Sequence, residues 1–171
     1  MRDALLLVDV LNDFEHEDGE ELLASFRERH AGFVEALEQA RADGVPVLYA
    51  NDNFGVWDGD APRLVRQALE GRGGELVQAI APRDGETFVV KPRYSGFDHT
   101  PLDLILNELE VERILLGGLS TEGCVAQTAI AARELGFKVS VLARACSTVD
   151  EQLERLALEY LEAVAGAFVV R

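Results

Sequence analysis

The run Ile114-Leu-Leu-Gly-Gly-Leu-Ser-Thr-Glu-Gly-Cys-Val125 restricts the fold more than any other stretch of the chain. Its first residues are apolar without alternation, which suits a strand covered on both faces, and Gly117 and Gly118 then permit a tight turn. A helix is expected from about Thr121 to Leu135. Its body, Val125-Ala-Gln-Thr-Ala-Ile-Ala-Ala132, is small and apolar nearly all round, and Gly136 ends it. Cys124 falls in the first turn of that helix, where amides lack intrahelical acceptors and the dipole favours negative charge. The thiol is therefore expected to ionise more easily than a free one, and the turn offers N–H groups to an oxyanion. Taken alone, such a cysteine reads first as a small residue packing a helix end.

The rest of the chain alternates in the same way. Ala4 to Val8 reads as a buried strand ending at Asp9. After turn signals at Asn12-Asp13 and Asp18-Gly19, a helical stripe runs through Leu23, Phe26, His30, Phe33 or Val34, and Leu37, and Asp43-Gly44 stops it. Val45 to Ala50 is the second strand, followed by the loop Asn51 to Trp57. Pro62 to Glu70 fits a short helix, and Gly71 to Gly74 opens an irregular stretch through Pro82. Thr87 to Val90 is the third strand, running into Lys91-Pro92. Thr100-Pro101 with Asp103 signals a helix start, and Leu102, Ile105, Leu106 and Leu109 give its apolar face. Arg113 to Leu116, Lys138 to Leu142 and Ala167 to Val170 complete six strands, with a last helix from Asp150 to Val164.

This order predicts a single α/β domain over residues 1–171, three-layer α/β/α and Rossmann-like, with a six-stranded, mostly parallel sheet and helices on both faces. In such sheets the site lies beyond the carboxyl ends of the strands. Asp9, Lys91 and Cys124 each fall at such an end, on three different strands, so an acid, a base and a thiol have a common meeting point. Singly, Asp9 reads also as a turn former and Lys91 as a snorkelling residue.

Composition removes whole classes of function. A net charge of −15 with no Lys/Arg run offers nothing to nucleic acid or anionic lipid. No apolar run approaches a membrane span or a signal-peptide core, and two cysteines outside any CxxC or Cys/His spacing make neither a disulfide framework nor a zinc site. A cytoplasmic protein acting on a small molecule is expected. Lys91 and Lys138 are the only lysines, so arginine carries the remaining positive charge, as in salt-adapted or GC-rich sources.

Three ordered stretches, Leu7-Val-Asp-Val-Leu-Asn-Asp-Phe14, Lys91-Pro-Arg-Tyr-Ser-Gly-Phe97 and Gly118-Leu-Ser-Thr-Glu-Gly-Cys-Val125, resemble the aspartate, lysine and nucleophile motifs of the isochorismatase-like cysteine hydrolases. That superfamily includes nicotinamidases, N-carbamoylsarcosine-type amidases and isochorismatases. The resemblance implies a catalytic set of Asp9, Lys91 and Cys124, a cis peptide bond before Ser120, and an oxyanion hole from the amides of Ser120 and Cys124. It also implies a thioester acyl-enzyme on Cys124, and a homo-oligomer, either dimer or tetramer. Phe14, Phe54, Trp57, Tyr94 and Phe97 are candidate pocket walls.

The departures carry information. Nicotinamidases of this family bind a metal through an Asp-x-His pair after the second strand, where this chain has Asp52-Asn-Phe54, and its only histidines are His16, His30 and His99. No metal and no cofactor are expected, and Asp52 reads as a loop-capping residue. Leu11 stands where relatives often have glutamine and Arg144 where many have aspartate. The expected function is a metal-independent amidase-type hydrolase of a small amide or carbamoyl compound. The alternatives are a vinyl-ether hydrolase of the isochorismate type, with Asp9 as general acid, and a non-catalytic binding or assembly module. A plain dinucleotide-binding fold is poorly supported, since Leu11 to Glu20 contains no G-x-G-x-x-G after the first strand.

Overall fold

The central strand β1 (Asp3–Val8) shows why the chain folds as it does. Ala4, Leu5, Leu6, Leu7 and Val8 are all fully buried, with Leu5 and Leu7 facing one core and Ala4, Leu6 and Val8 the other. Each fully buried leucine contributes roughly 1.5–3 kcal/mol. A charge at Leu6, such as Leu6→Asp, would therefore break the centre of the sheet.

In the computed structural model, which describes residues 1–171, β1 is flanked by β2 (Val47–Asp52) and β4 (Arg113–Leu119). β3 (Thr87–Lys91), β5 (Lys138–Ser147) and β6 (Phe168–Val170) complete the order β3-β2-β1-β4-β5-β6. Every pairing is parallel, so the expectation of a mostly parallel sheet sharpens to an all-parallel one. Helix-bearing crossovers connect all successive strands and leave no hairpin to reverse one. α1 (Gly19–Ala42), α2 (Ala61–Glu70) and α3 (Gly74–Ile80) cover one face; α4 (Leu102–Glu108), α5 (Ala126–Glu134) and α6 (Glu151–Tyr160) cover the other. Single π-helical turns, Thr121–Val125 and Leu161–Ala165, precede α5 and follow α6. No helix is long and apolar enough to cross a membrane.

Two local expectations are corrected. The stretch after Gly71 is not irregular, because α3 forms there and buries Val77 and Ile80 against the α1 side of the core. Tertiary burial outweighs the glycine-rich start. β5 runs five residues beyond Leu142, since a register shift opposite Leu116 and Gly118 lets pairing resume at Gly118–Cys146 and Leu119–Ser147. Cys146 thus lies inside the strand.

Chain direction across the sheet reverses between β1 and β4, the crevice in which α/β proteins place ligands. Gly118 makes the close approach there possible. It adopts φ 147°, and a Cβ on it would lie 2.2 Å from the Val8 carbonyl oxygen.

Candidate active site

Three elements deliver three reactive side chains to that crevice. Asp9 follows β1 directly and takes a left-handed conformation, φ 54°, which costs a non-glycine residue about 1 kcal/mol or more and is common at functional sites. Lys91 is the last residue of the edge strand β3, in register with Asp52 of β2, and is fully buried. Cys124 lies in the π-helical turn after β4, and the Leu119–Ser120 peptide bond just before that turn is cis.

Lys91 joins them. Its ammonium donates to the Arg93 carbonyl at 2.8 Å and to the Cys124 sulfur at 3.6 Å, and pairs with Asp9 Oδ2 at 2.8 Å. Three N–H bonds thus meet three acceptors, which is how a buried ammonium is tolerated. Asp9 Oδ1 accepts the Asp52 amide at 2.7 Å, and Lys91 stands between this carboxylate and the Cys124 thiol, in contact with both. Asp52 Oδ2 stands 3.8 Å from Lys91 Nζ, while Asp52 Oδ1 accepts the Phe54 amide at 2.6 Å. Asp52 therefore does cap the loop as expected, and it also enters the charge cluster.

The proton inventory follows from burial. Burial pushes the Asp9 carboxyl up and outweighs the opposing pull of Lys91 and of the hydrogen bonds from Cys124, Lys91 and Asp52. Burial also pushes the Cys124 thiol up, the Asp9 charge adds to the rise, and Lys91 only partly offsets it. Burial pulls Lys91 down, but the charges of Asp9, Cys124 and Asp52 together hold it above its ordinary value. The expectation of an easily ionised thiol is thus corrected, because desolvation and a neighbouring carboxylate outweigh lysine and helix end. Asp9 and Cys124 thus both hold a proton more strongly than the free groups do, beside the Lys91 ammonium.

In the turn itself, the Gly123 and Val125 amides both donate to the Ser120 carbonyl, at 3.1 and 3.2 Å, whereas the Ser120 amide donates to no backbone carbonyl.

A second buried network supports the turn from behind, and the sequence reading missed it. Glu154 of α6 receives Arg29 of α1 through both oxygens, at 2.5 and 2.7 Å, and its Oε1 also accepts the Thr121 hydroxyl at 2.7 Å. Arg29 Nη1 donates further to the Cys146 carbonyl at 3.2 Å. The signal lay in α6, where Glu154 falls on the inward stripe with Ala157, Leu158 and Leu161, a position that a charge occupies only when paired.

The aromatic candidates divide. Phe14 is fully buried in the α1-side core, its ring 5.6 Å from Phe26, so its assignment to a pocket wall is corrected: its left-handed backbone, φ 58°, and the stacking direct it inward. Phe97 packs on the opposite core and stacks on Phe137 at 6.2 Å. Phe54, Trp57 and Tyr94 are exposed, on the segments that follow Asp52 and Lys91. Leu11 is buried, and its amide and carbonyl are both held by the Asn51 side chain. Arg144 is exposed on β5, where its backbone lies against Gly32 of α1.

The donors present do not fit a resident metal. No group of three His, Cys, Asp or Glu side chains is arranged for one. His30 is bound to the Leu76 carbonyl at 2.8 Å, and His99 sits on the surface beside Asp98.

Known proteins share this architecture. The family model described as "Isochorismatase domain" matches residues 3–170. The isochorismatase family protein YaaI of Bacillus subtilis is 30% identical over 94% of this chain and 89% of its own length. Maleamate amidohydrolase of Pseudomonas putida is 30% identical, over 84% of this chain and 70% of its own. The crystal structure of N-carbamoylsarcosine amidase from Thermoplasma acidophilum superposes with a TM-score of 0.76 at 29% identity, covering 100% of this chain and 96% of that one. A family model spanning nearly every residue, together with relatives matched along most of their length, establishes that the chain belongs to the isochorismatase family of hydrolases, which has amidohydrolases among its members.

Proposed function

We propose that the protein hydrolyses the C–N bond of a small amide or carbamoyl compound through a thioester on Cys124. The observation that carries the reading is the position of the Lys91 ammonium, 2.8 Å from the Asp9 carboxylate and 3.6 Å from the Cys124 sulfur. Asp9 accepts the thiol proton as sulfur attacks the carbonyl carbon, so that charge forms on sulfur only as it is consumed. The Ser120 and Cys124 amides stabilise the oxyanion, and the unengaged Ser120 amide supports its part. Collapse of the tetrahedral intermediate breaks the C–N bond, and Asp9 returns its proton to the departing nitrogen. Asp9 then deprotonates the water that cleaves the thioester, releasing the acid and restoring the thiol. Lys91 keeps its proton throughout and balances whichever of Asp9 and Cys124 is anionic.

The names of the amidohydrolase and amidase relatives support this reaction class. A vinyl-ether hydrolase would leave the lysine-bound thiol without a task. The test is ammonia release from a panel of small amides, ureides and N-carbamoyl compounds, with Cys124→Ala run beside the parental protein. Turnover that depends on Cys124 is expected. A panel that yields none, or equal turnover by Cys124→Ala, overturns the reading.

A further inference from the structure

The charges at the thiol nearly cancel, and the one that does not is Asp52. Whether the proton rests on Cys124 or on Asp9, those two groups together carry one negative charge, which Lys91 neutralises. Asp52 adds a carboxylate whose only ion-pair partner is the same Lys91, at 3.8 Å. Its position is fixed on both sides: Oδ1 is held by the Phe54 amide, and its own amide donates to Asp9 Oδ1. The Asp52 side chain is 36% exposed, while that of Lys91 is 0% and that of Asp9 is 11%, so it is the charged group of the cluster most open to solvent. Neighbouring arginines do not offset it. Arg63 and Arg66 pair with Asp58 and Asp60 farther along the loop, and Arg93 is turned to Asp98 at 3.6 Å.

We propose that Asp52 sets the charge of the substrate: the site takes an uncharged small amide and discriminates against one that carries a carboxylate beside the scissile group. This rests on Cys124 being the attacking atom. A fixed carboxylate a few ångströms from a bound anion in a partly wet cleft disfavours it by on the order of tenfold. Maleamate and N-carbamoylsarcosine, which give two of the relatives their names, are carboxylate anions and belong to the disfavoured class.

Two reagents of nearly equal size probe this without any hydrolysis. Iodoacetamide is neutral and iodoacetate is an anion, and both alkylate sulfur with loss of iodide. The ratio of their rates at Cys124, read by peptide mass spectrometry and divided by the same ratio at 2-mercaptoethanol, isolates the charge seen by the reagent. About 0.15 M salt screens the distant charges of the chain. The normalised ratio should be about tenfold in the parental protein and fall severalfold in Asp52→Asn, while Glu108→Gln, which removes one exposed charge far from the site, leaves it unchanged. A parental ratio equal to that of the free thiol overturns the proposal whether or not Asp52→Asn folds. Equal effects of Asp52→Asn and Glu108→Gln also overturn it. Because alkylation needs no turnover, a failed amide panel sinks the amidase reading and leaves this result standing on its own.

Discussion

Lys91–Asp9 and Arg29–Glu154 are both ion pairs buried near the carboxyl ends of the strands, and they differ in how far their bonding capacity is spent. Arg29 grips Glu154 through two parallel hydrogen bonds, and the remaining contacts go to Thr121 and to the Cys146 carbonyl. No proton there has anywhere to go. Lys91 is a point charge whose contacts are a carboxylate, a carbonyl and a thiol. A bidentate guanidinium–carboxylate pair fixes geometry; an ammonium between a carboxylate and a thiol leaves one proton mobile. In the proposed reaction the first pair holds the turn and the second works at it.

The sharpest way to break this division is to damage each pair and measure both rate and stability. Cys124→Ala should lower turnover on a substrate from the amide panel by about a thousandfold or more, as expected for groups that act as a unit, with a much smaller change in urea midpoint, while Asp9→Asn should lower turnover as far and also cost stability, because it leaves the buried Lys91 without its nearest anion. Glu154→Ala should reverse the pattern in stability. Leaving the half-buried Arg29 and the Thr121 hydroxyl without their partner should cost about 1–3 kcal/mol in urea unfolding. If Cys124→Ala unfolded as readily as Glu154→Ala, the two pairs would not differ in role.

Thr121→Val tests the link between the networks at lower cost. It removes one hydroxyl while nearly keeping the shape, so about 1 kcal/mol of stability should be lost, and Thr121→Ser should restore most of it. The pH dependence sharpens the reactive pair further. Asp9 must be ionised to accept the thiol proton, and burial raises it above its ordinary 3.8, so kcat/KM should fall on the acid side at a pH above 3.8. An acid limb at or below that value would contradict a buried Asp9 as base. Smallest of all is the effect of chelators: EDTA should change neither turnover nor unfolding midpoint, and a loss of activity restored by zinc or iron would contradict the reading of the donor set.

Much of this was legible in the sequence because the fold depends on local signals. Apolar runs ending at Asp9, Lys91 and before Cys124, with helical stripes between them, lead to a parallel sheet and to one meeting point for three side chains. What was not legible depends on pairs distant in the chain. α3 forms because Val77 and Ile80 find a core laid down largely by α1 and β1, while its own start is rich in glycine. Phe14 looked like a pocket wall because it lies close behind Asp9, and only its backbone conformation and the Phe26 ring send it inward. The Arg29–Glu154–Thr121 network spans three elements, so no stretch of sequence displays it. A helix end and a lysine both favour an ionised thiol; desolvation and the Asp9 charge reverse that direction, and both depend on the assembled site.

The central claim, that Lys91 and Asp9 act on the Cys124 proton, is tested most directly by locating partial iodoacetamide labelling on the two cysteines across a pH series. Cys146 is fully buried and burial pushes it up to about 12, whereas Cys124 is partly accessible and lies beside Lys91. Cys124 should label first, but more slowly at neutral pH than a free thiol, with a rate that rises with pH. Lys91→Met, which removes the one charge that favours the thiolate, should move that rise to still higher pH. Preferential labelling of Cys146, or a Cys124 profile that Lys91→Met leaves in place, would contradict the account.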